Sequence, residues 1–369
     1  MIIGIDASRA NRPRKTGVEW YNYHLIQHLK RLPASADHSW LLYGNTPLTH
    51  GLELGPPAWH ETRLSWPPKY LWTQIRLSFE MWHRPPDVLY VLAHVLPRII
   101  PKRSVVVIHD VGFRRMPSLY KPVQRLYHEW STRDIVKRAS RILTVSEFSR
   151  QEIVETFGAS YEQVEVIYPG INHDRYRRVS AEDARIVLER FQIRKPFFVY
   201  IGRLERKKNV ALIVRAFAQA HPDAELVLAG PSGLGHEELE DLARQSPNPD
   251  AIHFVGYITE EEKVALLSSA TALIHPAWYE GFGIPIVEAM ACHCPVICSE
   301  VASLPEVAGR EHVQWFDPTN VDELAHEMHL ALQPEDGRER RLERAFEWAQ
   351  QYTWEQAAEQ TLRALTDWR

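Results

Sequence analysis

Two glutamates separated by seven residues form the most informative pattern in this chain. The segment runs Glu280-Gly281-Phe282-Gly283-Ile284-Pro285-Ile286-Val287-Glu288. Glycines let a ligand approach the backbone closely, and proline suits the first position of a helix. The segment therefore predicts a loop and a helix that begins at Pro285, with Glu288 in its first turn. Free amides at a helix start hold phosphate or sugar oxygens, and carboxylates accept hydrogen bonds from hydroxyl groups. A loop with an ordinary helix cap is the alternative interpretation.

A cluster of cations follows another strand-like run. Phe197 to Ile201 is apolar, Gly202 ends it, and Arg203, Arg206, Lys207 and Lys208 come next. The planar guanidinium of Arg203 suits phosphate oxygens, and Lys208 supplies a point charge for a leaving diphosphate. A solvated basic turn is the alternative, but the glycine favours close approach of a ligand to the backbone.

The first half of the chain offers two further candidates. Gly17, in Thr16-Gly17-Val18-Glu19, opens a predicted helix after the first strand, where backbone amides reach a diphosphate. His109 and Asp110 end the apolar run Val105 to Ile108, and His109 is a candidate hydrogen-bond donor to a substrate hydroxyl. A simple helix start and a structural histidine capped by Asp110 are the respective alternatives. His94 is a further candidate, on the acceptor side.

Length and composition indicate a globular protein of two domains. The chain has 369 residues, 45% hydrophobic and 24% charged. Its apolar runs are shorter than a membrane span, and its first residues enter a strand without a signal-peptide pattern, so we expect a cytoplasmic location. Cys292, Cys294 and Cys298 cluster at one predicted connection, which favours buried free thiols over zinc ligands.

Charge is distributed unevenly along the chain. Residues 1–190 contain 27 Lys and Arg against 19 Asp and Glu, a net +8, which leaves 16 and 28, a net −12, for the remainder. The basic half suits a lipid-linked phosphate or anionic headgroups, with scattered surface charge as the alternative. The stretch from Trp66 to Trp72, with Lys69, Trp82 and Arg84, mixes aromatics and cations as membrane-interface segments do, although core packing explains aromatics too. No nucleic-acid partner is predicted.

Strand and helix patterns alternate twice, which predicts an α/β protein with two doubly wound, Rossmann-like parallel-sheet domains facing a cleft. Ligands of such sheets bind beyond the carboxyl ends of the strands. The predicted strands are Ile2–Ile5, Val88–Val91, Val105–Ile108, Ile142–Val145, Phe197–Ile201, Leu226–Leu228, Ile252–Val255, Leu273–His275 and Val296–Cys298. The predicted helices of the first half are Val18–Leu32, Leu71–Trp82, Val123–Arg138 and Glu147–Phe157, the last capped by Ser146.

Together these motifs resemble glycosyltransferase family 4, the retaining, nucleotide-sugar-dependent enzymes of the GT-B fold, over nearly the whole chain. The motifs, in order, are Thr16 to Glu19, Ile108 to Asp110, Thr144 to Ser149, Tyr168 to Gly170, Gly202 to Asn209, Leu228 to Gly230, Phe254 to Gly256, Glu280 to Glu288 and Ser303 to Glu306. One departure is the run of three basic residues before Asn209, which leaves open whether Lys207 or Lys208 contacts a diphosphate.

The resemblance implies that three parts of the chain have different functions. Residues 1–172 would bind the acceptor, residues 173–350 the nucleotide sugar, and residues 351–369 would form a helix that crosses back onto the first domain. The implied catalytic residues are His109, Arg203, Lys208 and Glu280; the implied donor-binding residues are Gly17, Gly202, Phe282, Gly283, Ile284, Pro285 and Glu288; and the acceptor side takes His94 and Asp110. In these assignments Glu288 holds the ribose, and Glu280 holds the transferred sugar.

The implied mechanism is a front-face displacement with retention, without a metal or other cofactor. The chain is most similar to bacterial mannosyltransferases that use GDP-mannose, in Ile5 to Arg9 and in His109-Asp110 followed by Pro117. The acceptor would be a glycan or a lipid-linked glycan. A UDP- or ADP-sugar donor stays open, as does a non-catalytic sugar-nucleotide or glycan binder. A glycoside hydrolase would leave the basic residues unexplained, and a nicotinamide dehydrogenase would lack its glycine fingerprint.

Overall fold

The computed structural model describes residues 1–68 and 70–368 and contains two compact units. The first unit comprises Met1–Gly170 together with the chain from Thr353 onward, and the second comprises Ile171–Tyr352. The sequence analysis predicted that the first domain ends at residue 172 and the second at residue 350. Each unit is built on its own parallel sheet with helices between the strands.

The sheet of the first unit has seven strands in the order β3-β2-β1-β4-β5-β6-β7. They are β1 (Ile2–Asp6), β2 (Ser39–Gly44), β3 (Trp59–Arg63), β4 (Val88–Val91), β5 (Arg103–Val107), β6 (Arg141–Thr144) and β7 (Val164–Val166). All pairings are parallel. The structure confirms the four strands predicted here, which are β1, β4, β5 and β6. Strands β2, β3 and β7 were not predicted.

The sheet of the second unit has six strands in the order β10-β9-β8-β11-β12-β13. They are β8 (Phe197–Ile201), β9 (Glu225–Ala229), β10 (Ile252–Gly256), β11 (Ala272–His275), β12 (Val296–Ser299) and β13 (Gln314–Phe316). The five predicted strands are confirmed, and β13 was missed. Strands β8 and β9 are buried along their whole length, as expected where helices cover both faces of a parallel sheet.

The helices connect these strands. They are α1 (Gly17–Arg31), α2 (Ser78–His83), α3 (Gly112–Arg115), α4 (Pro122–Arg138), α5 (Glu147–Phe157), α6 (Ala181–Arg190), α7 (Val210–Ala220), α8 (His236–Arg244), α9 (Glu260–Ser269), α10 (Ile284–Ala291), α11 (Leu304–Ala308), α12 (Val321–Ala331), α13 (Arg338–Ala349) and α14 (Trp354–Thr366). Helix α5 has its predicted bounds, and Ser146 Oγ accepts from the backbone N–H of Ser149 at 3.1 Å. The helix predicted from Leu71 is a π-helical segment, Trp72–Leu77, that continues into α2.

Helix α14 packs on α1 of the first unit. Trp354 stacks on the ring of His24, with centroids 5.4 Å apart, and contacts Tyr21 edge-on at 5.7 Å. Gly170 makes this return of the chain possible, because a Cβ there would lie 2.0 Å from the backbone nitrogen of Trp354. Any side chain at position 170 would displace the start of α14. In the described ranges, no helix combines the length and apolarity that a membrane crossing requires.

Candidate functional site

The segment from Glu280 to Glu288 joins the end of β11 to helix α10. The helix begins at Ile284, so Pro285 is its second residue and Glu288 its fifth. The prediction that Pro285 opens the helix and that Glu288 lies in the first turn was therefore wrong. The reason is Gly283, which caps the helix in the left-handed region at φ 93°, a conformation that favours glycine. The cap shifts the helix start one residue earlier than proline alone suggests.

Glu280 lies between His275, the last residue of β11, and Lys208, in the turn Arg206–Lys208 that follows β8. Lys208 Nζ donates to Glu280 Oε1, and His275 Nε2 lies 3.3 Å from the same oxygen. The side chains of Lys208 and Glu280 retain only 20% and 14% of their exposure, so the ion pair is largely desolvated. Strands β8 and β11 are adjacent in the sheet, which brings the loops after them together. The structure thus unites two of the predicted catalytic residues.

The electrostatics of this group keep Glu280 ionised. Burial alone would raise the pKa of Glu280, but the charge of Lys208 and the contact with His275 outweigh it and hold the pKa well below its ordinary value. The carboxylate is consequently an acceptor of hydrogen bonds at neutral pH. Ser303 Oγ fixes the backbone here by donating to the carbonyl of Glu280 at 2.9 Å.

The loops after β8 and β9 touch each other at two glycines. Gly230 has φ 140°, and a Cβ there would lie 1.9 Å from the carbonyl oxygen of Gly202. The backbone of Gly202 is therefore fixed against the neighbouring loop. Arg203 follows with an exposed side chain, and its carbonyl accepts from the hydroxyl of Tyr200 at 3.0 Å. The exposed guanidinium is accessible to an anionic ligand.

Glu288 is held by a buried lysine that the sequence analysis did not identify. Lys263 Nζ lies 3.1 Å from Oε1 and 3.3 Å from Oε2 of Glu288. The same ammonium donates to the hydroxyl of Tyr176 at 2.7 Å and lies 3.1 Å from Glu260 Oε1. Burial raises the pKa of Glu288, and the neighbouring Glu260 raises it further, whereas Lys263 opposes both.

The loop before α10 is packed against its own unit. Phe282 is buried, and its ring meets that of Tyr352 edge-on, with centroids 5.3 Å apart. A Cβ on Gly283 would come within 2.8 Å of Leu304 Cδ2. The backbone amides at the start of α10 thus have a fixed direction.

In the first unit, Gly17 begins α1 beside a basic loop. Thr16 Oγ1 donates to Glu19 Oε2 at 2.6 Å, and Arg12 pairs with Glu19 Oε1 at 3.3 Å. A Cβ on Gly17 would meet nothing within 4 Å. No packing in its own unit requires glycine at this position, which leaves room for a ligand at the helix start.

His109 follows β5 and is buried. Desolvation, assisted by the neighbouring His94, lowers the pKa of His109 to about 3, so its imidazole is neutral. Its ring meets Tyr21 edge-on at 4.7 Å and lies 5.8 Å from that of His94. Asp110 Oδ1 accepts from the backbone N–H of Gly112 at 2.9 Å, and His94 Nε2 lies 3.3 Å from the Asp110 carbonyl. Three of the predicted residues therefore form one group.

The remaining predictions concern the cysteines and metal binding. The three cysteines are buried free thiols, as predicted, and burial raises the pKa of Cys294 to about 12. Among the residues that the structure describes, no group of three or more His, Cys, Asp or Glu side chains could hold a metal ion. The sequence analysis missed Lys263 and Tyr176, because they lie far from Glu288 along the chain, and His275, which it treated only as the end of a strand.

Comparison with known proteins identifies the family. The family model described as glycosyl transferases group 1 matches residues 188–348, and the model for glycosyltransferase family 4 matches residues 15–175. The O-antigen chain mannosyltransferase B of Escherichia coli is 32% identical over 308 residues, which cover 82% of this chain and 78% of the relative.

Two solved structures share the fold along the whole chain. Sucrose-phosphate synthase from Thermosynechococcus elongatus has a TM-score of 0.80 at 21% identity, over 98% of each chain. Anabaena HepE, in complex with UDP and glucose, has a TM-score of 0.78 at 18% identity, over 100% of this chain and 99% of the other. The two parallel sheets are accordingly those of the GT-B fold, and the chain belongs to glycosyltransferase family 4.

Proposed function

We propose that this glycosyltransferase transfers mannose from GDP-mannose, with retention and without a metal, to a hydroxyl of a glycan or lipid-linked acceptor. The convergence of Lys208 and His275 on the carboxylate of Glu280 carries the proposal. It places an acceptor for a sugar hydroxyl, ionised at neutral pH, beside a cation for the leaving group. The choice of mannose rests on the Escherichia coli mannosyltransferase relative.

Each predicted site residue of the second unit has a role in this proposal. Arg203 and Lys208 stabilise the negative charge that develops on the diphosphate, Glu280 binds the transferred sugar, and Glu288 binds the ribose. The amides at Phe282, Gly283 and Ile284, with Pro285 as the second residue of α10, hold the sugar and phosphate oxygens. Gly202 allows the diphosphate to approach the backbone.

In the first unit, neutral His109 donates a hydrogen bond to the substrate, and Gly17 leaves space for the diphosphate. Residues His94 and Asp110 serve the acceptor. The bond between the anomeric carbon and the diphosphate oxygen breaks as the acceptor oxygen attacks from the same face. The acceptor proton passes to the departing phosphate oxygen, so atoms and charges balance without a protein base.

A thermal-shift panel of nucleoside diphosphates and their sugars tests the donor. The true donor stabilises the folded protein by mass action, so GDP and GDP-mannose should raise the melting temperature more than UDP, ADP or their sugars. A larger shift with UDP- or ADP-glucose would replace the proposed donor. Retention is tested by NMR of the product anomer, and binding without turnover over a panel of acceptors would favour the non-catalytic alternative.

We further propose that the first unit docks on anionic membrane. Part of the predicted segment is core, since Trp72 is buried and Lys69 lies outside the described residues, but an apolar surface continues onto two helices. This surface, the apolar face, consists of exposed Ile75, Phe79, Trp82, Val123, Leu126, Tyr127 and Trp130. Arg98 lies between the part on Trp72–Leu77 and α2 and the part on α4. Its backbone N–H donates to Ser78 Oγ at 2.8 Å, and its guanidinium lies 6.0 Å from the ring of Trp130.

Positive charge around the apolar face favours an anionic membrane as its binding partner. Arg84, Arg98, Lys121 and Arg125 are all exposed, which complements anionic headgroups around an inserted aromatic surface. Co-sedimentation should therefore occur with vesicles of equal parts phosphatidylcholine and phosphatidylglycerol, and should weaken when Trp82→Ser is introduced. Leu54→Ser, at another exposed leucine, is the matched control. Equal binding to pure phosphatidylcholine, no binding to either vesicle, or self-association without vesicles would contradict the proposal.

A further inference from the structure

A buried polar cluster lies behind Glu288 in the second unit. It consists of Lys263 on α9, Glu288 on α10, Glu260 one turn before Lys263, and Tyr176 from the segment before α6. The side chains of Lys263 and Glu288 retain 14% and 8% of their exposure. A charged cluster so well removed from water is costly unless each member has a partner.

In the described part of the chain, Lys263 is the only cation within ion-pair distance of Glu288, and it contacts all three other members of the cluster. Its ammonium contacts both oxygens of Glu288, at 3.1 and 3.3 Å, and the hydroxyl of Tyr176 at 2.7 Å. Tyr176 in turn donates to Glu260 Oε2. These contacts hold the ammonium from several directions, so Lys263 has little freedom to turn toward another anion.

The position of Lys263 is unfavourable for its own helix. It is the fourth residue of α9, whose N-terminal turn carries Glu260, Glu261 and Glu262. The helix dipole favours acidic residues there and disfavours a cation. The local sequence therefore gives no reason for lysine at this position, whereas the contacts with Glu288 do.

The two carboxylates of the cluster have different surroundings. Glu260 also lies 4.0 Å from Arg175, whereas Glu288 forms its ion pair, among the described residues, with Lys263 alone. Without Lys263, a desolvated Glu288 would keep the repulsion of Glu260 with the Tyr176 hydroxyl alone to offset it, and it would take up a proton or turn away. Either change removes an oxygen that accepts from a ligand hydroxyl.

We propose that Lys263 is a positioning residue for ribose recognition, holding both oxygens of Glu288 so that the carboxylate accepts from the ribose 2′- and 3′-hydroxyls. The site consequently selects ribonucleotides over 2′-deoxyribonucleotides through a residue that does not itself touch the nucleotide. This inference rests on the proposed role of Glu288. A carboxylate has enough acceptor positions to serve the lysine on one side and two hydroxyls on the other.

The test compares the affinities of wild type and Lys263→Met for GDP and 2′-deoxy-GDP by titration calorimetry. Wild type should prefer GDP by roughly tenfold to a hundredfold, the range for a hydrogen bond to a charged group. Lys263→Met should lose this preference by weakening GDP alone, and Lys263→Arg should keep most of it. Lys195→Met is the control, since Lys195 is an exposed lysine of the same unit.

A double variant separates this role from direct contact with the nucleotide. If Lys263 acts through Glu288, adding Lys263→Met to Glu288→Ala should weaken GDP binding no further. Equal weakening of GDP and 2′-deoxy-GDP by Lys263→Met, or additive losses in the double variant, would overturn the inference. If Lys263→Met does not fold, Tyr176→Phe provides a second test, because it removes one contact of the ammonium. It should partly reduce the preference for GDP over 2′-deoxy-GDP, and an unchanged preference would contradict the inference.

The outcomes also distinguish this inference from the proposed function. A wild type that binds no nucleoside diphosphate would refute the donor site itself. A wild type that binds GDP and 2′-deoxy-GDP equally would refute the ribose role of Glu288 and this inference together. If the thermal-shift panel selects another base, the ribo- and 2′-deoxyribonucleoside diphosphates of that base replace GDP.

Discussion

Replacing Lys208 by methionine should reduce both stability and turnover. Methionine keeps much of the aliphatic length and removes the charge, leaving Glu280 desolvated beside His275. Removing one partner of a fully buried ion pair costs about 3–5 kcal/mol. Because the two side chains here retain 20% and 14% of their exposure, we expect a loss of about 2 kcal/mol. For a unit of this size that corresponds to a fall of roughly 4–8 °C in Tm.

The loss should depend on pH in a defined direction. The pKa of Glu280 is depressed in the folded protein, so its stabilising contribution is present above the ordinary value of 4.5 and is lost only as pH falls through the folded-state pKa. In Lys208→Met, burial dominates and the pKa of Glu280 rises. The variant therefore avoids the burial cost by protonation on acidification, and its deficit should be larger at about pH 8 than at about pH 5.

Calorimetric melting at the two pH values and steady-state turnover measure these effects. Lys207→Met is the matched control, since Lys207 is the preceding residue of the same short 3-10 turn, Arg206–Lys208. We expect Lys208→Met to lower kcat by roughly a hundredfold or more, as for removal of a group that stabilises developing charge, and Lys207→Met to lower it much less. Equal losses in the two variants, or a stability deficit that is the same at both pH values, would refute the reasoning.

Four further predictions concern the candidate site. Glu288→Ala should weaken binding of the free nucleoside diphosphate by about tenfold or more, and calorimetry that finds unchanged affinity would remove its ribose role. Gly17→Ala should leave Tm unchanged, because the added Cβ meets nothing within 4 Å, yet it should raise the KM for the donor; an unchanged KM would show that no ligand approaches this residue. Since burial lowers the pKa of His109 to about 3, His109→Gln should reduce kcat without moving an acidic limb of the pH profile near 6.5, and a displaced limb would contradict a neutral imidazole. Chelation should leave the rate intact, whereas activity restored by added Mn²⁺ would argue against a metal-independent mechanism.

Elements whose signals are local in the sequence were predicted well. Helix α5 has its predicted ends because Ser146 caps one end and Gly158, at φ 70°, closes the other. Strands such as β4 and β8 are continuous apolar runs, as expected of strands covered on both faces. In these elements the residues that decide the structure lie within or next to the element itself.

Three of the four strands that the sequence analysis missed lie at the edges of the sheets. Strand β3, Trp59–Arg63, lies at one edge of the first sheet and contains His60, Glu61 and Thr62, which give no apolar run. Strands β7 and β13 are also edges, and each has three residues. Their strand conformation depends on pairing with a distant neighbour, so no short window of sequence reveals it.

The same distinction separates the predicted and unpredicted parts of the site. Lys208 and Glu280 follow adjacent strands, and the rule that ligands bind beyond the carboxyl ends of parallel strands was sufficient to associate them. Lys263 stands after Glu260-Glu261-Glu262, a charge run typical of a solvated helix start. Its burial depends on Glu288 and Tyr176, which come from other parts of the chain.

The two lysines pair with the two glutamates in different ways, and the difference bears on their roles. Among the described residues, Lys208 forms one ion pair, with a single oxygen of Glu280, so it can move toward a diphosphate while His275 stays beside the carboxylate. Lys263 contacts both oxygens of Glu288 as well as Tyr176 and Glu260, so moving it would leave several buried groups without a partner. A cation with a replaceable partner suits a charge that develops during the reaction, whereas a cation with many partners suits a binding group that must keep one orientation. The arrangement therefore supports the proposed roles, charge stabilisation for Lys208 and preorganisation for Lys263.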